Sequence, residues 1–234
     1  MRAIILAGGK GTRLRPYTVV LPKPLMPIGE YPILEVIVRQ LAHFGFSHIT
    51  MAVNHQAEIV MAFFGNGDKW GIKIDYSLEN QPLGTMGPLR LIQDLPDDFL
   101  LMNGDVLTDL DFRDFSNFHI EQRNIFTISA YQREVSSEFG VLELDESGRM
   151  TGFQEKPIIR YDVSMGIYMV SRDVVPYIPE SQAYGFDNLM IDLIRDNNPA
   201  VVKKFDGYWL DIGRADDYSQ AIDEFETLKG RFLR

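Results

Sequence analysis

The chain has 234 residues, ample for one large core or for one domain with a small appendage, and its 45% hydrophobic and 24% charged content is ordinary for a folded globular protein. A formal net charge of −10 argues against a nucleic-acid partner, which demands a broad basic face, and the absence of cysteine excludes disulfides and thiolate chemistry. No apolar run approaches the ~20 residues needed to span a membrane. The start, MRAIILAGG, reads as a first strand rather than a signal peptide, so no membrane partner is expected and the cytosol is the default compartment.

In chain order, residues 3–6 read as a buried strand that runs directly into LAGGKGTRLRP at 6–16. Gly8, Gly9 and Gly11 let the backbone turn its N–H groups toward an anion, and Lys10, Arg13 and Arg15 add fixed positive charge. Residues 1–29 hold five cations (Arg2, Lys10, Arg13, Arg15 and Lys23) and no Asp or Glu. Such a cationic island in an acidic chain points to a small polyphosphate ligand. The segment is neither a Walker A loop, which needs G-x-x-x-x-G-K-[ST], nor a dinucleotide fingerprint, because no third glycine follows at the required place.

Residues 33–44 carry apolar side chains at helical spacing, with Gly45 where a C-cap glycine belongs. Next come a strand at 48–53, a helix at 58–64, a strand at 72–76, a helical stretch at 88–93 and a strand at 99–102 that ends in Asn103-Gly104-Asp105. Strands separated by helices predict an α/β fold: a mostly parallel, Rossmann-like sheet with helices on both faces. Ligands of such sheets sit at the carboxyl ends of the strands, where Gly8 and Asp105 both fall. The second half is richer in β-structure, with strands predicted at 124–131, 140–144, 151–154 and 164–170 and a hairpin turn at 145–148. Helices at 186–195 and 215–228 close the chain, which carries no repeats, linkers or low-complexity tracts. One domain is expected over 1–234, divided near residue 120 into two parts.

Further segments join the first in order: LPKPLMPIG (21–29), PLGTMGPL (82–89), MNGDV (102–106), FQEKP (153–157) and GYWLDIG (207–213). With LAGGKGTRLRP they resemble the sugar-1-phosphate nucleotidylyltransferases, also called nucleotide-sugar pyrophosphorylases, over nearly the whole chain. The resemblance implies a nucleotide-binding part at about 1–120 and a β-rich, sugar-binding part at about 121–234. It also implies the reaction: a sugar 1-phosphate oxygen attacks the α-phosphorus of a nucleoside triphosphate and releases pyrophosphate.

The resemblance further implies roles for matching positions. Leu6, Gly8, Gly9, Gly11, Thr12, Glu79, Gly84 and Thr85 would bind the nucleotide, and Arg13 would grip the departing phosphates. Lys23, ten residues after Arg13, would sit on the α-phosphate side, so that Arg13, Lys23 and Asp105 form the catalytic set. Asp105 and Asp211 would share Mg²⁺. On the sugar-phosphate side stand Asn103, Gly140, Glu155, Lys156 and Gly166. The usual Asn-Ala-Gly-Ile-Tyr is replaced by Ser164-Met165-Gly166-Ile167-Tyr168, which leaves the sugar open.

The PLGTMGPL segment and Glu79 resemble the guanylyltransferase branch that handles mannose and heptose 1-phosphates, so GTP is the favoured donor. Uridylyl, thymidylyl and cytidylyl transfer stay open, as do a non-catalytic nucleotide-sugar sensor and a homo-oligomer. The chain ends without the left-handed β-helix domain that many mannose-1-phosphate guanylyltransferases append, and a freestanding catalytic domain is expected. His43, His48, His55 and His119 lack metal-ligand spacing. Trp209 adjoins Asp211 at the edge of the sugar site. The acidic residues Asp216, Asp217, Asp223, Glu224 and Glu226 read as a solvated helix face.

Overall fold

Unbroken burial along the first strand shows that the sheet is covered on both faces. In β1 (Arg2–Leu6) of the computed structural model, which describes residues 1–233, Ala3 and Ile5 face one layer and Ile4 the other. The chain continues through β2 (Pro27–Ile28), β3 (Tyr31–Pro32), α1 (Ile33–His43), β4 (His48–Val53), α2 (Ala57–Phe64), β5 (Lys73–Leu78), β6 (Asp98–Asn103) and β7 (Val106–Thr108). After α3 (Phe112–Gln122) come β8 (Phe126–Ser136), β9 (Val141–Leu144), β10 (Met150–Gln154) and β11 (Ile158–Ser171). The last elements are α4 (Phe186–Arg195), β12 (Val201–Phe205), β13 (Trp209–Asp211) and α5 (Ala215–Phe232).

Seven strands form the central sheet in the order β12-β8-β11-β6-β1-β4-β5. All neighbours pair in parallel except β11, which runs antiparallel to both β6 and β8. Helices α1, α2 and α3 pack Leu34, Ile37, Val60, Phe64, Phe112 and Phe115 on the face that includes Ile5 and Met102. Helix α4 packs Leu189 and Leu193 on the other face, against Ile4 and Leu101. A third cluster joins α5, through Ala221, Phe225 and Phe232, to Leu14 of the glycine-rich segment and to Leu107 and Leu210.

The α/β sheet with helices on both faces agrees with the sequence pattern, and β4 and α4 have the predicted bounds. Gly45 ends α1 as expected: its φ is +84°, its N–H donates to Ala42 O, and Phe46 N–H donates to Leu41 O. Four departures have physical reasons. The stretch expected as a helix at 88–93 is a single 3-10 turn, Gly87–Leu91, opened by Pro88. The strand expected at 164–170 is the carboxyl half of the 14-residue β11, whose first half is almost wholly exposed and pairs with the exposed end of β8. The last helix runs beyond 228 because Phe232 anchors it in the third cluster. Helix α3 was absent from the periodicity because two of its buried positions are polar, Ser116 and His119. Its start is marked instead by Asp111, whose Oδ1 accepts from Asp114 N–H at 2.8 Å.

Two predictions follow from packing. Phe225 is fully buried and stacks on Phe232 with ring centroids 5.9 Å apart, so Phe225→Ala should cost about 3 to 5 kcal/mol in a urea unfolding titration. His119 is also fully buried, within hydrogen-bond distance of Thr127 Oγ1 (2.8 Å) and Asp98 Oδ1 (3.2 Å), and burial lowers its pKa despite Asp98. Below the ordinary value of 6.5 the unfolded chain takes up a proton that the folded chain resists, so stability falls as pH drops through that value. Unfolding free energies of wild type and His119→Gln between pH 7 and pH 5 should show the flatter slope in the variant; parallel slopes would remove His119 from the acid response.

Candidate active site

The glycine-rich segment leaves β1 beside the end of β4, where Ala7 N–H donates to Ala52 O at 2.8 Å. Space dictates the first glycine: a Cβ on Gly8 would lie 3.1 Å from both Asn54 Cβ and Glu79 Oε1. Conformation dictates the third: Gly11 has φ +59°, and its carbonyl accepts from Thr18 Oγ1 at 2.7 Å. A 3-10 turn, Thr12–Leu14, follows and is pinned by Leu14, which is 1% exposed.

Two cavities flank this segment, and they divide the expected residues between them. The larger, about 410 Å³, is lined by Leu6, Gly8, Gly9, Glu79, Gly84 and Thr85 from the expected nucleotide set, together with Lys10, Lys23, Asn103 and Asp105. Gly11, Thr12 and Arg13 are not part of its wall. Arg13 lines the smaller cavity, about 240 Å³, with Asp211, Trp209, Gly213, Arg133, Arg214 and Asp217. A Cβ on Gly213 would lie 3.2 Å from Asp211 Oδ2 and 3.4 Å from Arg13 Nη2, so both groups crowd that glycine.

Asp105 and Asp211 are brought together by a two-stranded ladder. β13 pairs antiparallel with β7 so that Asp211 stands opposite Val106, and Ile212 N–H donates to Asp105 O at 3.0 Å. Lys23, in a 3-10 turn between Pro22 and Pro24, is only 8% exposed and ion-pairs with Asp105 Oδ2. It is a buried, partnered lysine rather than a solvated loop cation. The other Asp105 oxygen, Oδ1, is buried without a partner. Burial, then the neighbouring Asp105 carboxylate, pushes the Asp211 carboxyl above its ordinary value, against the pull of Lys23 and Arg13.

These features fit Mg²⁺. A cation would use the orphaned Oδ1 and relieve the repulsion between the carboxylates. Among the described residues no group of three or more acidic, His or Cys side chains gathers around one point. Remaining ligands would therefore be phosphate oxygens and water, which Mg²⁺ accepts readily.

Glu79 sits just past β5, where its N–H donates to Val53 O. Burial pushes its carboxyl up, while Leu83 N–H, donating to Oε2 at 3.2 Å, pulls it back. The Gly84–Thr85 wall is clipped to the segment before α4: Tyr184 N–H donates to Leu83 O, and Phe186 N–H donates to Thr85 Oγ1 at 2.7 Å. Gly84 itself has φ +78°, and a Cβ there would meet Tyr184 O at 2.7 Å. Gly166 closes on Asn103 in the same way, with φ +72° and only 2.5 Å between a Cβ and Asn103 Nδ2.

The remaining sugar-side residues lie apart. Gly140, Glu155 and Lys156 belong to the exposed arm built from β9, β10 and the strands beside them, and they line neither cavity. Gly140 and Glu155 do adjoin, since a Cβ on Gly140 would lie 3.1 Å from Glu155 Oε2. Trp209 borders the smaller cavity, held by its Nε1–H donating to Met165 O at 3.0 Å. The acidic face of α5 is only partly solvated: Glu224 accepts from Tyr208 OH, and Asp217 accepts from Arg214 N–H. Sequence reasoning missed Asn54, Arg133, Arg214 and the cavity position of Asp217. No spacing marks Arg133, and Arg214 was detectable only as the residue before α5.

The chain resembles proteins with related names. It is 36% identical to UTP–glucose-1-phosphate uridylyltransferase of Synechocystis sp. over 95% of its length, and 31% identical to mannose-1-phosphate guanyltransferase of Candida albicans over 93%. It spans 62% of the length of each of those relatives. The structure of HddC from Yersinia pseudotuberculosis complexed with GMP-PN has a TM-score of 0.73 at 25% identity, covering 96% of this chain and 99% of that one. Residues 2–227, which carry both cavities and the carboxylate pair, match the nucleotidyl transferase family, and to that family this chain belongs.

Proposed function

We propose that the protein transfers a nucleotidyl group from a nucleoside triphosphate, GTP by preference, to a sugar 1-phosphate, giving a nucleotide-diphospho-sugar and pyrophosphate. The observation that carries this reading is the pair Asp105 and Asp211 set between a glycine-lined wall and a cluster of arginines. Two polyanions must meet for this reaction, and such a site offers separate places for them. Relatives named for uridylyl and guanylyl transfer to hexose 1-phosphates support the class of reaction.

In the proposed reaction an oxygen of the sugar 1-phosphate forms a bond to the α-phosphorus, and the bond to the pyrophosphate oxygen breaks. No side chain needs to become covalently attached, so catalysis consists of positioning and of stabilising charge. Residues 1–120 would hold the nucleotide, with Gly8 and Gly9 presenting backbone to it and Glu79 facing the base. Lys23 would hold the Asp105 carboxylate in place. Arg13 would stabilise charge growing on the departing phosphates. Asp105 and Asp211 would hold Mg²⁺, whose chemistry is to neutralise phosphate charge. Residues 121–234 would hold the sugar, with Gly166 of that part and Asn103 of the first part at its phosphate.

Glu79 supports guanine as the base. Guanine offers N1–H and an exocyclic amine side by side, a match for a carboxylate with an oxygen to spare. Glu79 Oε2 already accepts from Leu83 N–H, and Oε1 faces Gly8. The GMP-PN in the HddC complex is a guanine nucleotide, which points the same way.

Pyrophosphate release measured with four triphosphates against a panel of sugar 1-phosphates tests the reaction. GTP should give the highest kcat/KM, and Glu79→Gln should erode that preference by about 1 to 3 kcal/mol. A wild type that favours UTP, or a variant with unchanged ratios, refutes the base assignment; no release from any pair refutes the reaction. The carboxylates make a second test. If they share one ion, Asp105→Ala, Asp211→Ala and the double variant should be similarly inactive, and a chelator should abolish wild-type turnover. Losses that multiply independently would separate the two residues.

A further inference from the structure

The smaller cavity gathers three arginines from three separate parts of the chain. Only Arg13 in it comes from the glycine-rich segment; Arg133 stands on β8, and Arg214 is the residue before α5. Elsewhere most cations are paired, but none of these three guanidinium groups forms an ion pair among the described residues. Two carboxylates share the cavity, and Arg13 acts on Asp211 through space, but neither forms an ion pair with a guanidinium group among the described residues. Asp217 Oδ2 accepts from the Arg214 backbone N–H at 2.8 Å, and Asp211 adjoins Asp105.

Arg133 is held through its side chain and Arg214 through its backbone. The Arg133 guanidinium lies 5.4 Å over the Trp209 ring, whose own N–H is anchored on Met165 O. Arg214 is fixed through its backbone to the first turn of the 18-residue α5. Three arginines line these 240 Å³ with two aspartates, and the planar donors of a guanidinium group match phosphate oxygens.

We propose that Arg133 and Arg214 complete, with Arg13, a second anion subsite that binds a phosphate group apart from Lys10 and Lys23. The inference rests on the nucleotidyl transfer proposed above, where that group is the phosphate of the acceptor or the leaving pyrophosphate. It also explains why Lys156 can lie outside both cavities: Arg133, on β8 of the same arm, supplies the charge at the site.

Arg133→Gln, Arg214→Gln and the double variant test the subsite in the intact chain, with thermal melts to confirm folding of these exposed substitutions. Inorganic pyrophosphate titrated calorimetrically into the protein without nucleotide should bind wild type, about tenfold more weakly each single variant, and about a hundredfold more weakly the double variant. Kinetics then identify the source. A raised KM for the sugar 1-phosphate assigns the acceptor, and a raised KM for pyrophosphate in the reverse direction assigns the leaving group. Unchanged pyrophosphate affinity with both of these KM values unchanged overturns the subsite. Arginine-dependent pyrophosphate binding without any turnover would sink the proposed reaction and leave the subsite standing.

Discussion

Two neighbouring carboxylates, one of them paired with a buried lysine, are the constraint on which the site depends. Asp105 ends the turn after β6, and Asp211 arrives on β13 more than a hundred residues later; only the β7 and β13 ladder places them together. Like charges at close range in a partly dry site raise the cost of ionisation, as the upward shift of Asp211 records. Lys23 offsets part of that cost, and its burial is itself tolerable only because Asp105 is its partner. An ion pair of this kind is weak evidence for stability. Its effect is to fix a geometry that would otherwise relax apart.

The rest of the fold holds that geometry. Helix α5 packs Phe225 and Phe232 into the cluster that contains Leu14, Leu107 and Leu210, so the glycine-rich segment, β7 and β13 share one apolar support. The reversed strand β11 has a different effect. By running antiparallel to β6 it carries Gly166 back to Asn103, at the carboxyl end of a strand whose other neighbour, β1, is parallel. Its first half, still paired with β8, extends past β6 as an exposed arm. A parallel strand there would have ended at the opposite edge, leaving the arm far from the cavities.

What could be read from the sequence follows from how local each signal is. Strand β4 and helix α4 announce themselves through an unbroken apolar run and a regular amphipathic period, and Asp105 and Asp211 through short motifs at strand ends. Helix α3 has a cap but places Ser116 and His119 in the core, so hydrophobic periodicity passes over it. Strands β7 and β13 have three residues each and exist through their mutual pairing, which no window of sequence contains. The division of the glycine-rich segment between two cavities is likewise a tertiary fact. Gly8 faces Glu79, whereas Arg13, five residues on, has turned past Gly11 toward Asp211. Arg133 is one exposed cation on a long strand, and nothing beside it in the sequence separates it from Arg160 on the neighbouring one.

The difference between those two arginines lies in their partners. Arg160 is tied to Glu134 at 2.6 Å, as Arg39 is to Glu35 and Arg172 to Asp97, so their fields are cancelled close to the surface. Lys10, Arg13, Arg133 and Arg214 line the two cavities without an acidic partner among the described residues. In a chain of net charge −10, long-range forces repel a polyanion. Screening confines that repulsion to roughly 8 to 10 Å at ordinary ionic strength. Inside that distance, unpaired cations in concave walls decide the potential. An acidic protein can therefore concentrate two phosphate-bearing ligands, provided that cations without an acidic partner gather in the concave walls of its site.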